Sequence, residues 1–142
     1  MILDAREIPA GETLDADVCV VGAGAVGISL ALALSAAGRS VTLLEAGGET
    51  ADPADQALYA GQVADPALHP PLDEYRERRL GGATTIWGGR CVPFDRLDFE
   101  ERDWIADSGW PIDRSEVDAW YPAANRLCEA GDFAYRADAA FD

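Results

Sequence analysis

The sequence predicts an α/β fold that opens with a parallel βαβ unit, followed by an irregular glycine-rich loop and C-terminal helices. Three observations carry this. An apolar run, Val18-Cys19-Val20-Val21, leads into a glycine-punctuated turn, Gly22-Ala23-Gly24-Ala25-Val26-Gly27. An alanine-rich stretch, Ile28 to Ala37, reads as a helix. A second apolar run, Val41-Thr42-Leu43-Leu44, ends on the acid Glu45.

The first strand and the helix are joined by a G-x-G-x-x-G turn, a weak signal alone but set here in strand–turn–helix context. Glu45 lies 18 residues beyond Gly27, the place where a Rossmann-like unit carries its ribose-binding acid. Gly22 permits the tight turn, Gly24 admits a pyrophosphate close to the backbone, and Gly27 lets helix and strand pack. The first helical turn offers unpaired N–H groups and a positive dipole end to phosphate. Glu45 can accept from the adenosine ribose hydroxyls and repels a 2′-phosphate, so NADP is the least favoured ligand. An ordinary crossover with a glycine turn and no ligand is the bland alternative. At this point NAD and FAD remain equal, because both carry ADP.

Length and charge bound the rest. The chain has 142 residues, enough for one domain, whereas complete enzymes of this type need a further region for substrate. Its formal charge is −15, from 26 acids against 11 arginines and no lysine. That balance repels nucleic acid and anionic membrane surfaces. Cys19, Cys91 and Cys128 are widely spaced and form no metal-ligand pattern; Cys19, inside a strand run, is expected to be buried. Residues Met1 to Asp17 hold six charges and no apolar segment, unlike a signal peptide. The apolar stretch Val18 to Leu34 is broken by glycines and too short to span a bilayer. A cytoplasmic setting is expected.

Residues 1–16 read as a lead-in with a turn at Pro9-Ala10-Gly11. After Ala46-Gly47-Gly48, a polar segment rich in proline continues to Asp73, with one short helix at Pro53 to Ala60. Cys91 to Trp110 looks irregular but packed. Asp113 and Glu116 form a capping-box signal for a helix whose buried face is expected to comprise Val117, Trp120, Tyr121 and Leu127, and Pro122 divides it in two. Trp104, Trp110 and Trp120 are expected to pack in a core rather than form a sugar-stacking surface.

A second glycine patch runs Leu80-Gly81-Gly82-Ala83-Thr84-Thr85-Ile86-Trp87-Gly88-Gly89-Arg90. Its glycine pairs let backbone lie against a flat or phosphorylated ligand. The Thr84 and Thr85 hydroxyls can donate to a ligand, and Trp87 offers an apolar wall. Arg78 and Arg79 can bring charge to a pyrophosphate. A structural loop under the sheet is the alternative. Two such segments close together favour FAD over NAD, because FAD lies extended and needs more of its length covered.

On these residues the chain resembles the N-terminal FAD-binding portion of the glucose–methanol–choline oxidoreductase family, and is most similar to the bacterial sugar-oxidising branch related to pyranose oxidases. The matching segments are Asp15 to Gly24, Leu43 to Gly47, Leu80 to Cys91, Pro93 to Phe99, Ser108-Gly109-Trp110-Pro111 and Trp120-Tyr121-Pro122. The resemblance implies that Gly22, Gly24, Ala25 and Gly27 contact the FAD pyrophosphate and that Glu45, with Ala46 beside it, takes the adenosine ribose. It places Gly82, Thr84, Thr85, Trp87 and Gly88 along the pyrophosphate and the isoalloxazine. Some members attach FAD through a histidine in this loop; Ile86 stands here before Trp87, so non-covalent FAD is expected. The family's catalytic base, a histidine, lies near the C-terminus of a full-length member. His69 sits alone in a proline-rich loop and is expected to be an exposed loop residue.

The expectation is therefore a partial N-terminal FAD-binding domain over residues 1–142, lacking the substrate domain. It belongs to an enzyme passing hydride from a sugar or other alcohol to flavin N5. The base comes from outside this chain, for example from a second subunit carrying the histidine. A non-catalytic piece that completes or regulates a partner flavoprotein is the alternative reading, and an NAD-dependent dehydrogenase domain is less favoured.

Overall fold

The structure is a computed structural model that describes residues 1–136; the alanine-rich end of the sequence beyond them lies outside the described residues. The chain divides into two units, Met1–Trp87 and Gly88–Asp142.

In the first unit, the lead-in forms a single 3₁₀ turn at Ala5–Glu7, which the sequence did not signal. The expected turn follows it, with Glu12 N–H donating to Pro9 O at 3.1 Å. Strand β1 spans Val18–Val21, helix α1 Ala25–Ala36 and strand β2 Val41–Leu44. The strands pair in parallel, with Val18 opposite Val41 and Val21 opposite Leu44, as a βαβ crossover requires. Asp17 and Ser40 lock the entrance to this pair. The Asp17 carboxylate accepts from Ser40 N–H at 2.8 Å and Ser40 Oγ at 3.0 Å, while Asp17 N–H donates to Ser40 Oγ at 2.9 Å. These bonds hold the Asp17 carboxyl below its ordinary range, the backbone donor contributing most.

Side chains alternate across a strand, and α1 covers the face bearing Val20, which is 8% exposed. Cys19 and Val21 point to the other face and are exposed. The expectation that Cys19 is buried is thus corrected: a strand residue is buried only if its own face is covered, and helix α1 covers only one. Helix α1 is apolar all round, so its sheet-facing residues are half-buried while Val26, Leu30 and Leu32 remain exposed.

The proline-rich segment yields α2, Pro53–Gln56, which tightens into a 3₁₀ turn at Ala57–Tyr59. Asp52 caps α2 by accepting from Ala54 N–H at 2.7 Å. The second glycine patch contains another 3₁₀ turn, Gly82–Thr85.

Among the described residues the second unit has three short helices: α3, Arg96–Phe99; α4, Arg114–Asp118; and α5, Tyr121–Leu127. The capping signal at Asp113 is realised, with its N–H donating to Glu116 Oε1 at 2.9 Å. Pro122 stands in the first turn of α5, where its missing N–H costs nothing, and so separates α4 from α5 as expected. Phe94, Phe99 and Trp110 cluster, with Phe94 and Trp110 ring centroids 5.1 Å apart. The buried residue of α5 is Asn125; its carboxamide donates to Asp132 O at 3.3 Å and accepts from Tyr135 Oη at 3.1 Å.

Two expectations fail here. Trp104 and Trp120 are 72% and 71% exposed, and Trp110 is half-exposed despite its aromatic neighbours. Of the proposed helical face, Val117 and Tyr121 are half-buried, but Trp120 and Leu127 are not covered. Helical spacing identifies which residues share a face; burial needs a second element against that face, and none of the described residues supplies it for Trp104, Trp120 or Leu127. Among the described residues no helix is long and apolar enough to cross a membrane.

Candidate dinucleotide site

Three backbone segments of the first unit converge at the carboxyl ends of β1 and β2. The first is the turn Gly22–Gly24. Gly22 has φ +99°, in the left-handed region where a side chain is strained. A Cβ on Gly27 would lie 1.9 Å from Gly22 O, so α1 can press against the turn only because that position is glycine. The first backbone bond of α1 is Ile28 N–H to Gly24 O at 3.0 Å. Gly24 is its N-cap and offers no side chain, so by helix geometry the N–H groups of Ala25, Val26 and Gly27 lack intrahelical partners.

The second segment follows β2. Glu45 reaches back across the strands, and its Oε2 accepts from Ala23 N–H at 2.7 Å. Its Oε1 accepts from Ala46 N–H at 2.9 Å and Gly47 N–H at 3.0 Å. The acid therefore ties the glycine turn to the loop after β2. A carboxylate has about four lone-pair sites, so acceptor capacity remains for a ribose hydroxyl.

The third segment is the second glycine patch, which lies directly on the other two. Gly81 N–H donates to Ala23 O at 2.8 Å, and Gly24 and Gly81 form a parallel bridge. A Cβ on Gly82 would sit 3.4 Å from Gly24 Cα. Leu80 N–H donates to Gly48 O at 3.0 Å, and a Cβ on Gly47 would meet Arg78 O at 1.9 Å. Gly81 itself has φ +90°. So the two glycine motifs, separated by more than fifty residues in sequence, form one backbone cradle.

Around this cradle lie two open clefts. One, of about 480 Å³, is lined by Gly22, Gly24, Glu45, Ala46, Tyr59, Arg78 and Gly82, among others. The other, of about 520 Å³, lies by the start of α1 and is lined by Gly24, Ala25, Gly27 and Thr84. Arg78 Nε is shielded from solvent without a hydrogen-bond partner. Beside Gly24 a Cβ would meet nothing within 4 Å, which leaves the turn's backbone open to a ligand. Free helix N–H groups and an acid past β2 fit the phosphates and ribose of a dinucleotide, and Arg78 brings a positive charge to the same cleft.

Most residues expected at the site therefore meet here: Gly22, Gly24, Ala25, Gly27, Glu45, Ala46, Arg78, Gly82 and Thr84. Three do not line either cleft. Thr85 and Trp87 lie further along the loop, and Gly88 belongs to the second unit. The threonine hydroxyls, read from sequence as ligand donors, instead donate to their own turn: Thr84 to Gly81 O at 2.5 Å and Thr85 to Gly82 O at 2.9 Å. A hydroxyl has one proton to give, so these residues can offer a ligand only acceptor capacity while the turn is intact. Arg79 is likewise engaged, through Nη2 to Glu49 O at 2.6 Å. Tyr59, Arg76 and Glu77 line the first cleft and were missed, because nothing in their local sequence marks them as ligand-facing. His69 is exposed in its loop, its Nδ1 2.6 Å from Pro70 O.

Residues 17–130 match the model of the FAD dependent oxidoreductase family. The curated proteins it resembles include "Glycerol-3-phosphate dehydrogenase [NAD(P)+] 2" of Mycobacterium bovis and of Mycobacterium tuberculosis. Each is 39% identical over 88 residues, covering 58% of this chain and 26% of the relative. The chain thus spans about a quarter of the length of these relatives. No solved structure matches it. The family match covers most of the chain, including all three segments of the cradle, and the chain belongs to the FAD-dependent oxidoreductases.

Proposed function

We propose that this chain is the FAD-binding part of an oxidoreductase acting on the CH–OH group of a sugar or other alcohol, with the catalytic base supplied by residues outside it. The observation that carries the reading is the cradle in which Gly81 and Gly82 lie on the Ala23–Gly24 turn. A second glycine segment packed on the first extends the surface a long dinucleotide can lie along.

Within that reading each residue has a defined task. The N-terminus of α1 and the Gly22–Gly24 backbone hold the pyrophosphate by N–H groups and dipole. Glu45 holds the ribose and, by its bond to Ala23 N–H, keeps the turn in shape for the phosphates. Arg78 brings a positive charge to the cleft that Glu45 and Ala46 line. When bound, FAD supplies the hydride acceptor for oxidation of an alcohol carbon. A base must then take the hydroxyl proton within hydrogen-bond reach. His69 is exposed, with Nδ1 2.6 Å from Pro70 O, and lines neither cleft, so the base belongs elsewhere in the full enzyme. Ile86 offers no atom for a flavin linkage, and non-covalent binding follows.

The sugar-oxidising assignment rests on the resemblance of the Leu80–Cys91 segment to glucose–methanol–choline enzymes. The mycobacterial relatives are named for glycerol 3-phosphate, itself an alcohol, and their naming for NAD(P)⁺ favours a second reading, an NAD-binding domain. Glu45 opposes NADP in that reading by charge.

The purified chain is expected to show flavin absorption bands after incubation with FAD and gel filtration. Acid precipitation should release the colour to the supernatant. A colourless protein that retains NAD in the same experiment would replace the first reading by the second.

A further inference from the structure

Gln56, the last residue of α2, spends its whole carboxamide on one distant backbone segment. Its Nε2 donates to Asp73 O at 2.7 Å and to Arg76 O at 2.6 Å, and its Oε1 accepts from Arg78 N–H at 3.1 Å. Three bonds from one side chain fix residues 73–78 against the helix. The 3₁₀ turn that continues α2 carries Tyr59, three residues on. The tie brings the Arg78 guanidinium over the Tyr59 ring, with Cζ 5.6 Å from the centroid. Both side chains are half-buried, and both line the cleft that Glu45 and Ala46 enter.

We propose that Tyr59 and Arg78 form a stacked platform for the adenine ring of the dinucleotide, with Gln56 as its positioning residue. This rests on the FAD reading and deepens it. Glu45 takes the ribose, and the base is attached directly to that sugar, so the base lies within one ring's length of Glu45. The flat groups lining the cleft are the Tyr59 phenol ring and the guanidinium groups of Arg76 and Arg78; Arg76 already donates Nη1 to Leu72 O at 2.9 Å, whereas Arg78 lies over the Tyr59 ring. A purine is a flat π system without charge, and a planar guanidinium backed by an aromatic ring is a surface on which it stacks. The platform makes the site selective for adenine dinucleotides over FMN, which lacks the adenosine half.

The test is equilibrium titration of the whole chain and its variants with FAD, ADP and FMN, with a thermal melt of each variant. Tyr59→Leu is expected to weaken FAD and ADP by the same factor, about tenfold, and Tyr59→Phe to stay within about twofold of wild type. Arg78→Lys, which keeps charge but loses the planar face, should weaken both nucleotides. Gln56→Leu should do the same while FMN binding is no weaker than in the wild type. Tyr59→Leu binding FAD and ADP as the wild type does would overturn the platform and leave the FAD reading standing. Loss of FMN in parallel with FAD would also overturn it, as would a loss confined to variants whose melt has collapsed. A wild-type chain that binds neither FAD nor ADP would remove the FAD reading and the platform with it.

Discussion

The two units of the chain are held together by different means. In Met1–Trp87, bonds between residues far apart in sequence dominate the site: Glu45 to Ala23, Gly81 to Ala23, Gln56 to Arg78. Among the described residues of Gly88–Asp142, short-range caps stand beside aromatic contacts: the Asp113–Glu116 box, the Asp95 N–H to Asp98 bond at 2.8 Å, the Phe94 N–H to Tyr121 Oη bond at 3.0 Å, and a small cluster of aromatic rings. The first arrangement depends on backbones approaching within van der Waals limits, so single methyl groups should be decisive there. The second uses caps, each contributing about 1 kcal/mol, together with ring contacts that tolerate small shifts. Within the first unit, Gly27 and Gly47, where a Cβ would strike backbone, differ from Gly24, where it would meet nothing within 4 Å.

The largest effect expected is from Gly27→Ala. Its new methyl would lie 1.9 Å from a backbone oxygen, so the α1–β1 packing must open at a cost of about 3 kcal/mol or more. Gly47→Ala, at 1.9 Å from Arg78 O, should behave alike. Gly24→Ala meets nothing within 4 Å, so its melting midpoint should stay near wild type while FAD affinity falls, since the methyl occupies space the pyrophosphate needs. Urea unfolding and FAD titration of the three variants would check this split. Equal destabilisation of Gly24→Ala and Gly27→Ala would break the distinction.

Next in size is Glu45→Gln. It replaces a carboxylate that accepts three backbone N–H groups, one of which must lose its partner or rearrange, at about 1–3 kcal/mol. Unfolding and affinity should both worsen, unlike Gly24→Ala.

A smaller, pH-dependent effect belongs to the strand entrance. Asp17 is held below its ordinary pKa by Ser40, so its folded pKa is lower than its unfolded one. Its contribution is complete above the unfolded value and is lost as pH falls through the folded value. Asp17→Asn should therefore be less stable than wild type at neutral pH, with the gap closing in acid below the ordinary carboxylate range. In the second unit, Asp113→Ala should cost about 1 kcal/mol, read by circular dichroism of the helices.

The smallest effect is chemical. Burial, and then the neighbouring Cys128 thiol, push the Cys91 thiol up, so Cys91 should alkylate more slowly near neutral pH than exposed Cys19 and Cys128. Mass spectrometry of partially labelled protein would rank them.

What could be read from sequence follows the same division. The glycine turn, Glu45 and the second glycine patch were legible because close backbone approach and a strand-end acid leave a trace in residue type and spacing. The Asp113 cap was legible because its partner lies three residues away. Tyr59 and Gln56 were not, since their roles arise from bonds spanning 17 to 22 residues that no local pattern records. The threonines were legible as hydroxyls but not in direction, because a turn's own carbonyls compete with any ligand for their protons. Cys19, Trp104 and Trp120 show the limit of apolar patterning: it groups residues on a face without saying whether anything covers it.

The central claim is that the two glycine motifs make one cradle for FAD, and fluorescence titration of the 142-residue chain with FAD, competed by ADP, tests it most directly. Saturable binding at one site per chain is expected, reversed by ADP and weakened by Gly24→Ala without loss of the fold. Absence of saturable FAD binding by a folded chain, or binding that ADP and Gly24→Ala leave untouched, would contradict it.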